Sequence, residues 1–152
     1  NMYDHSLRVP MMVIGPGIEK GKRLDTAVYL QDIMATTLDL AGIEKPDYVQ
    51  FNSLMPVLRG ESKGFYDAIY GGYLGKQRAV IFKGHKLILY PTIGVRRLYN
   101  LEDDPREMKD IIKQKGSGKL ARALFARLLK LQVETGDTLD LRKAYPKLAA
   151  GS

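Results

Sequence analysis

Cysteine is absent from the 152 residues. That excludes disulfides, thiolate zinc sites and a cysteine nucleophile within the chain. It assigns no compartment, since a secreted protein can also lack cysteine. Histidine is nearly absent: His5 and His85 are the only two, which excludes a histidine-rich metal site. No run approaches the roughly 20 apolar residues of a membrane helix. The opening Asn1-Met2-Tyr3-Asp4-His5 lacks the basic, apolar and small-residue succession of a signal peptide. There is no P-loop, dinucleotide fingerprint, nucleophile elbow or HExxH, and no RNP signature, zinc finger or basic heptad array. Acids, too, are missing from one window. Between Ala68 and Leu101 there is none, while six cations occur: Lys76, Arg78, Lys83, Lys86, Arg96 and Arg97. Nearly all of the net charge of +7 therefore sits in that stretch.

What is present is an ordinary globular composition, 45% hydrophobic and 27% charged, enough to bury a core without staples. A basic window attracts anions in general: nucleic acid, sulfated or phosphorylated glycans, an acidic membrane or an acidic neighbouring domain. A solvated sheet face explains it as well and is the preferred reading. With no nucleic-acid motif and no spanning segment, neither nucleic acid nor membrane is an expected partner.

Residues 9–14 form a short apolar run ended by Gly15-Pro16-Gly17, the pattern of a buried parallel strand. Over 28–41, Leu30, Ile33, Met34, Thr37, Leu38 and Ala41 share one face of an expected helix, with Asp32 near its start as a cap or dipole partner and Gly42 as its stop. Residues 53–58 suggest a short helical turn. From Asp67 the period becomes strand-like, with four strands expected at 68–70, 77–82, 85–90 and 96–99, close enough for an antiparallel meander. Asp104-Pro105-Arg106-Glu107 predicts a helix to about Lys113, and Ser117 caps a long final helix striped by Leu120, Leu124, Leu128 and Leu131. The result is α/β: the end of an α/β domain over 1–62, a smaller subdomain with a four-stranded antiparallel sheet and long helix over 63–148, and a tail or cloning remnant over 149–152. A lone parallel strand cannot satisfy its own edges, so the chain reads as the C-terminal part of something longer, prone to self-association through 9–14.

The densest polar cluster is Tyr3-Asp4-His5-Ser6-Leu7-Arg8, placed just before the expected strand, where α/β enzymes keep site residues. His5 beside Asp4 suits acid–base work, and an Arg8–Asp4 ion pair in a structural loop suits it equally. Lys83-Gly84-His85-Lys86 reads as a basic site or a solvated hairpin turn. Asp103, Asp104 and Glu107 read as dipole partners of a helix start.

Four segments, in order, carry a resemblance. Asn1-Met2-Tyr3-Asp4-His5-Ser6-Leu7-Arg8-Val9-Pro10 with Ile14-Gly15-Pro16-Gly17, then 31–42, then Ser53-Leu54-Met55-Pro56-Val57-Leu58-Arg59-Gly60, then 98–107, together resemble the late part of the sulfatases, in the alkaline phosphatase superfamily. Ala35 stands where the family often has proline, and Asp110-Ile111 where Asn-Leu is common. The resemblance implies a parent that hydrolyses sulfate esters of a small molecule or glycan. Its nucleophile would be a formylglycine made within Cys/Ser-x-Pro-x-Arg, its cation usually calcium, and both would lie upstream of Asn1. No catalytic residue and no cofactor or metal is therefore expected in this chain, which alone is expected to be inactive. Tyr3, Asp4, His5 and Arg8 would follow the sulfate-binding lysine and lie near the active site. Lys76, Arg78, Lys83, His85, Lys86, Arg96 and Arg97 would form an anionic-substrate rim, and the rest of the catalytic domain would be the main partner. Family members are typically secreted, periplasmic or lysosomal. A phosphonate or phosphate monoester hydrolase of the same superfamily, or a stand-alone anion-binding module, are the alternatives.

Overall fold

The computed structural model describes residues 1–150. Two compact units are distinguished, one joining Asn1–Val9 to everything from Ala68 onward, the other spanning Pro10–Asp67.

The first unit is built on a meander in the order β1 (Ala68–Tyr73), β2 (Gln77–Phe82), β3 (His85–Tyr90) and β4 (Val95–Asn100), all antiparallel. These are the four strands the period-two pattern predicts, except that β1 runs three residues past the expected 68–70 and β4 gains one residue at each end. The β2–β3 turn needs two consecutive positive φ values, and Lys83 (48°) and Gly84 (69°) supply them, the geometry that matches strand twist. A side chain at Gly84 would put its Cβ 2.5 Å from Glu102 Oε1.

Register decides the faces. Val80 pairs with Leu87 and Leu87 with Leu98, all fully buried against α4 (Ser117–Glu134) through Leu124, Phe125 and Leu128. One residue on, Ala79, Ile88 and Tyr99 face the other way, where Met2 covers them beside Tyr3 and Leu7. Those N-terminal residues form a single helical turn, α1 (Asp4–Leu7). Both faces of the sheet are thus covered, one by a helix and one by the chain's own start.

The α4 stripe is as expected, with Leu124, Leu128 and Leu131 buried and Leu120 packed at the margin. Its start differs: Gly116 in a left-handed conformation precedes it, and Ser117 is the first helical residue, its Oγ donating to the Ile112 carbonyl at 2.7 Å rather than capping the helix. Beyond Gly136 come two short helices that the sequence pattern did not reveal, α5 (Leu141–Ala144) and α6 (Pro146–Ala149). Ala149, assigned to a tail, closes α6; Gly151 and Ser152 lie outside the described residues.

The helix expected over 104–113 does not form. Glu107 sits at φ 55°, incompatible with a helix interior, and the backbone bonds elsewhere: Ile111 N–H donates to the Leu98 carbonyl at 2.8 Å and Lys109 N–H to Asp104 Oδ2 at 2.7 Å. Pairing with the outer edge of β4 outcompetes local helix.

In the second unit, α2 (Asp32–Leu40) and α3 (Met55–Leu58) are the helices. Asp32 is wholly buried and does not cap. Its Oδ2 accepts the Tyr29 N–H at 2.7 Å, and its Oδ1 accepts Asn52 N–H at 3.1 Å and Tyr66 O–H at 2.5 Å. Thr36 Oγ1 accepts Leu54 N–H at 2.9 Å, so α2 organises this unit through polar groups. The apolar face predicted for it is mostly open: Leu30, Ile33, Met34, Thr37 and Ala41 are exposed. Residues 9–14 are likewise not a strand but irregular, with Met12 and Ile14 more than four-fifths exposed. A strand exists only with a ladder partner, and the described residues offer this run none.

Candidate functional site

Lys86 is the centre of the cluster that the N-terminal loop builds on the sheet. Its neighbours Leu87 and Ile88 carry it into full burial on the face shared with Ile88 and Tyr99. An ammonium at zero exposure requires acids, and two come from distant parts of the chain. Lys86 Nζ donates to Asp4 Oδ1 and lies 2.7 Å from Glu107 Oε1. Glu107 Oε2 also accepts the Asp4 backbone N–H at 2.6 Å. The unusual backbone at Glu107 therefore serves to aim its carboxylate inward.

Around this triad the loop presents aromatic and imidazole groups. Tyr3 stacks on His5 with ring centres 5.8 Å apart and planes within 9°. Its hydroxyl lies 3.2 Å from that of Tyr99, and Asn1 Nδ2 lies 3.2 Å from His5 Nε2. Burial first, then the hydrogen bond with Tyr3, pushes Tyr99 well above the usual phenol range and raises Tyr90 to about 12. The phenolic oxygens of Tyr3 and Tyr99, with Asp110 beyond them, push the Arg97 guanidinium further up. Tyr3, Asp4 and His5 are thus brought together, whereas Arg8 is exposed at the C-terminal end of α1. Asp4 pairs with Lys86, not Arg8.

The basic window splits. Arg78 is buried, its Nε 2.6 Å from Asp137 Oδ2 and its Nη2 2.9 Å from Oδ1, a bidentate pair. Asp137 also accepts from Tyr70 O–H and from Gln132 Nε2, and Arg78 above all holds its carboxyl well below the usual range. Arg78 and Lys86 therefore do not belong to a solvent-facing rim. Both are structural cations, buried because strand alternation turns them onto faces that α4 and the N-terminal loop cover. Lys76 and Lys83 are exposed in turns, Lys83 over the Phe82 ring at 5.2 Å. His85 Nδ1 contacts the Lys83 carbonyl at 2.8 Å. Arg96 and Arg97 are half-buried on β4.

Sequence reasoning took Glu107 for a helix-dipole partner rather than the partner of Lys86, and missed Asp137 and Tyr99. One signal was available for the acids: strands carrying six cations and no acid must draw counter-ions from elsewhere if any of them is buried. Among the described residues no three His, Cys, Asp or Glu side chains converge as metal ligands, so these residues do not fit the divalent cation that the resemblance implies. Among them, too, no helix is long and apolar enough to cross a membrane.

Comparison with known proteins bears on this arrangement directly. The family model described as N-sulphoglucosamine sulphohydrolase, C-terminal, matches residues 1–134. An arylsulfatase of Clostridium perfringens is 31% identical over 155 residues, covering 95% of this chain and 32% of the relative. The chain thus spans about a third of the length of that relative. A solved structure of a protein in complex with its substrate D-glucosamine-2-N,6-O-disulfate is 30% identical, with a TM-score of 0.62 over 70% of this chain and 24% of that one. The phosphonate monoester hydrolase of Agrobacterium radiobacter shares the fold alone, at 19% identity and a TM-score of 0.61, over 75% of this chain and 26% of its own. With a family match that runs from the N-terminal loop through the meander and the whole of α4, the chain belongs to the N-sulphoglucosamine sulphohydrolase C-terminal family.

Proposed function

We propose that this chain is the C-terminal part of a sulfatase that removes sulfate from a sulfated amino sugar or glycan. The observation that carries the reading is the family match over residues 1–134, continuous across the loop, sheet and helix. The substrate class is that named for the structural relative bound to a disulfated glucosamine. Residues 1–62 would close the α/β catalytic domain and 63–148 would form the subdomain beside it. In the sulfatase mechanism a formylglycine and a divalent cation supply the nucleophile and stabilise charge; the residues described here fit neither, and their work is positioning.

That work is chemically definite. Lys86 and Glu107 clamp Asp4, which fixes the turn bearing Tyr3, His5 and Arg8. Tyr3 and His5 would face the substrate side as a stacked pair, and Arg8 would offer a charged donor to an anionic group. Lys76, Lys83, His85, Arg96 and Arg97 would line the approach for a polyanion. The exposed apolar runs at 9–14 and on α2 are the surfaces that the rest of a catalytic domain would cover, and through which the isolated chain would self-associate.

The test begins with the coding sequence upstream of Asn1, where a Cys/Ser-x-Pro-x-Arg motif is expected. The longer product should release sulfate from D-glucosamine-2-N,6-O-disulfate and carry formylglycine by mass spectrometry. Preferential hydrolysis of a phosphonate monoester, or no such motif, would overturn the reading.

A further inference from the structure

β4 is an edge strand, and its outer edge is only half covered. At Leu98 both backbone groups are used: the N–H donates to Asp110 Oδ1 at 3.0 Å and the carbonyl accepts Ile111 N–H at 2.8 Å. Strand period two turns the N–H and C=O of Arg96 outward in the same direction. There residues 110–113 no longer follow the strand, and a cleft of about 490 Å³ opens between Gly94–Arg97 and Asp110–Lys113. Such a volume suits a monosaccharide unit.

Its walls are strongly cationic. Arg96, Arg97 and Lys113 line it against a single acid, Asp110. That acid is already committed: Oδ1 accepts the N–H groups of Leu98 and Ile112, both at 3.0 Å, and Oδ2 faces Arg97 at 3.6 Å. The floor is held in place, because Tyr145 donates its hydroxyl to the Val95 carbonyl at 2.7 Å. Arg97 lies on the loop side of the sheet, beside the Tyr3–Tyr99 pair.

We propose that this cleft binds a sulfated saccharide, its sulfate held by Arg96 and Lys113 and by the outward N–H of Arg96, while Arg97 stays with Asp110. The choice of a sulfated saccharide rests on the sulfatase reading; the cleft's preference for an anion does not. Guanidinium groups match the paired oxygens of a sulfate, and a half-paired strand edge supplies a directional donor that bulk surface charge lacks.

The experiment titrates the isotope-labelled 152-residue chain with D-glucosamine-2-N,6-O-disulfate, glucosamine and inorganic sulfate, following backbone amides by NMR. The disulfate should shift amides in 94–97 and 110–113, and bind more tightly than inorganic sulfate, while glucosamine should leave them in place. The double variant Arg96→Ala/Lys113→Ala should weaken binding about tenfold, with Arg97 left intact to keep Asp110 paired. A matched variant, Arg122→Ala/Lys130→Ala, removes equal charge from the exposed face of α4 and should change affinity less than about twofold. Equal weakening by both variants, shifts confined to other segments, or inorganic sulfate binding as tightly as the disulfate would overturn the proposal. No turnover is read. An inactive longer product therefore counts against the sulfatase reading alone, and a silent cleft in a chain whose longer product is active counts against the cleft alone.

Discussion

Replacing Lys86 by methionine keeps most of the side chain's length and removes its charge. Nζ is fully buried, Glu107 is 2% exposed and Asp4 20% exposed at the side chain. The substitution leaves two carboxylates facing each other with no cation between them. Breaking a buried pair by removing one partner costs about 3–5 kcal/mol, because the remaining charge has lost both water and its counter-ion. The upper part of that range applies here, since Glu107 is almost wholly enclosed and Asp4 repels it. With a urea slope of about 2 kcal/mol per molar, the unfolding midpoint should fall by about 2 M. The N-terminal turn should loosen before the sheet does, because Asp4 is tied down by the two groups that now repel one another.

Urea unfolding followed by far-UV circular dichroism reads the midpoint. Near-UV dichroism of the tyrosines reads the loop, since Tyr3 packs edge-on to Tyr99 at 5.8 Å. The triple variant Lys86→Met/Asp4→Asn/Glu107→Gln tests the cause. With no net charge left to bury, and an amide oxygen still available to the Asp4-position N–H, it should recover more than half of the loss. A Lys86→Met protein within about 1 kcal/mol of the parent, or a triple variant no better than the single, would refute the electrostatic account and leave only packing.

Asp137→Asn should destabilise the chain by about 3 kcal/mol at neutral pH by orphaning Arg78. Because the folded carboxyl lies below its unfolded value of about 3.9, the parent's stability from this pair is complete above about pH 5 and is lost as pH falls toward the folded value; melting curves of Asp137→Asn should be flatter across that window. At the alkaline end, burial raises Tyr66 and Tyr90 to about 12 against about 10 unfolded, so stability should decline as pH rises from about 10 to 12. Tyr66→Phe should flatten part of that decline, and phenolate absorbance at 295 nm appearing fully by pH 10.5 would contradict it.

The sequence made the meander legible because every determinant of it is local. Period-two alternation and turn residues at Lys83-Gly84 and Gly94 sufficed, and so did the leucine stripe of α4; Gly71-Gly72, which reads as the first turn, instead lies inside β1, and the chain turns at 74–76. Residues 9–14 and the helix over 104–113 failed for opposite reasons. The first is apolar enough for a strand but has no ladder partner among the described residues, so composition cannot become structure. The second has a good helix start in Asp104-Pro105, but Glu107 is needed on Lys86 and Ile111 on the edge of β4, and those long-range bonds outweigh local propensity. The apolar face of α2 was legible as a face, but Ile33 and Met34 on it are open and the enclosed residue is Ala35, which lies off it.

The basic window shows how a charge count can mislead about a site. Six cations without an acid look like a surface patch, and for Lys76 and Lys83 they are one. Alternation along β2, β3 and β4, however, sends Arg78 and Arg96 to the α4 side and Lys86 and Arg97 to the loop side, and both sides are covered. A cation under cover persists only if an acid reaches it. Asp4, Glu107, Asp110 and Asp137 all come from outside the window, which explains why the window itself contains none. The separation in sequence is therefore a structural device: each pair ties a strand to a distant segment, the N-terminal loop, the turn after β4 or the end of α4. The excess that remains for binding lies where the covering segments stop short, and on β4 that is the cleft beside Arg96.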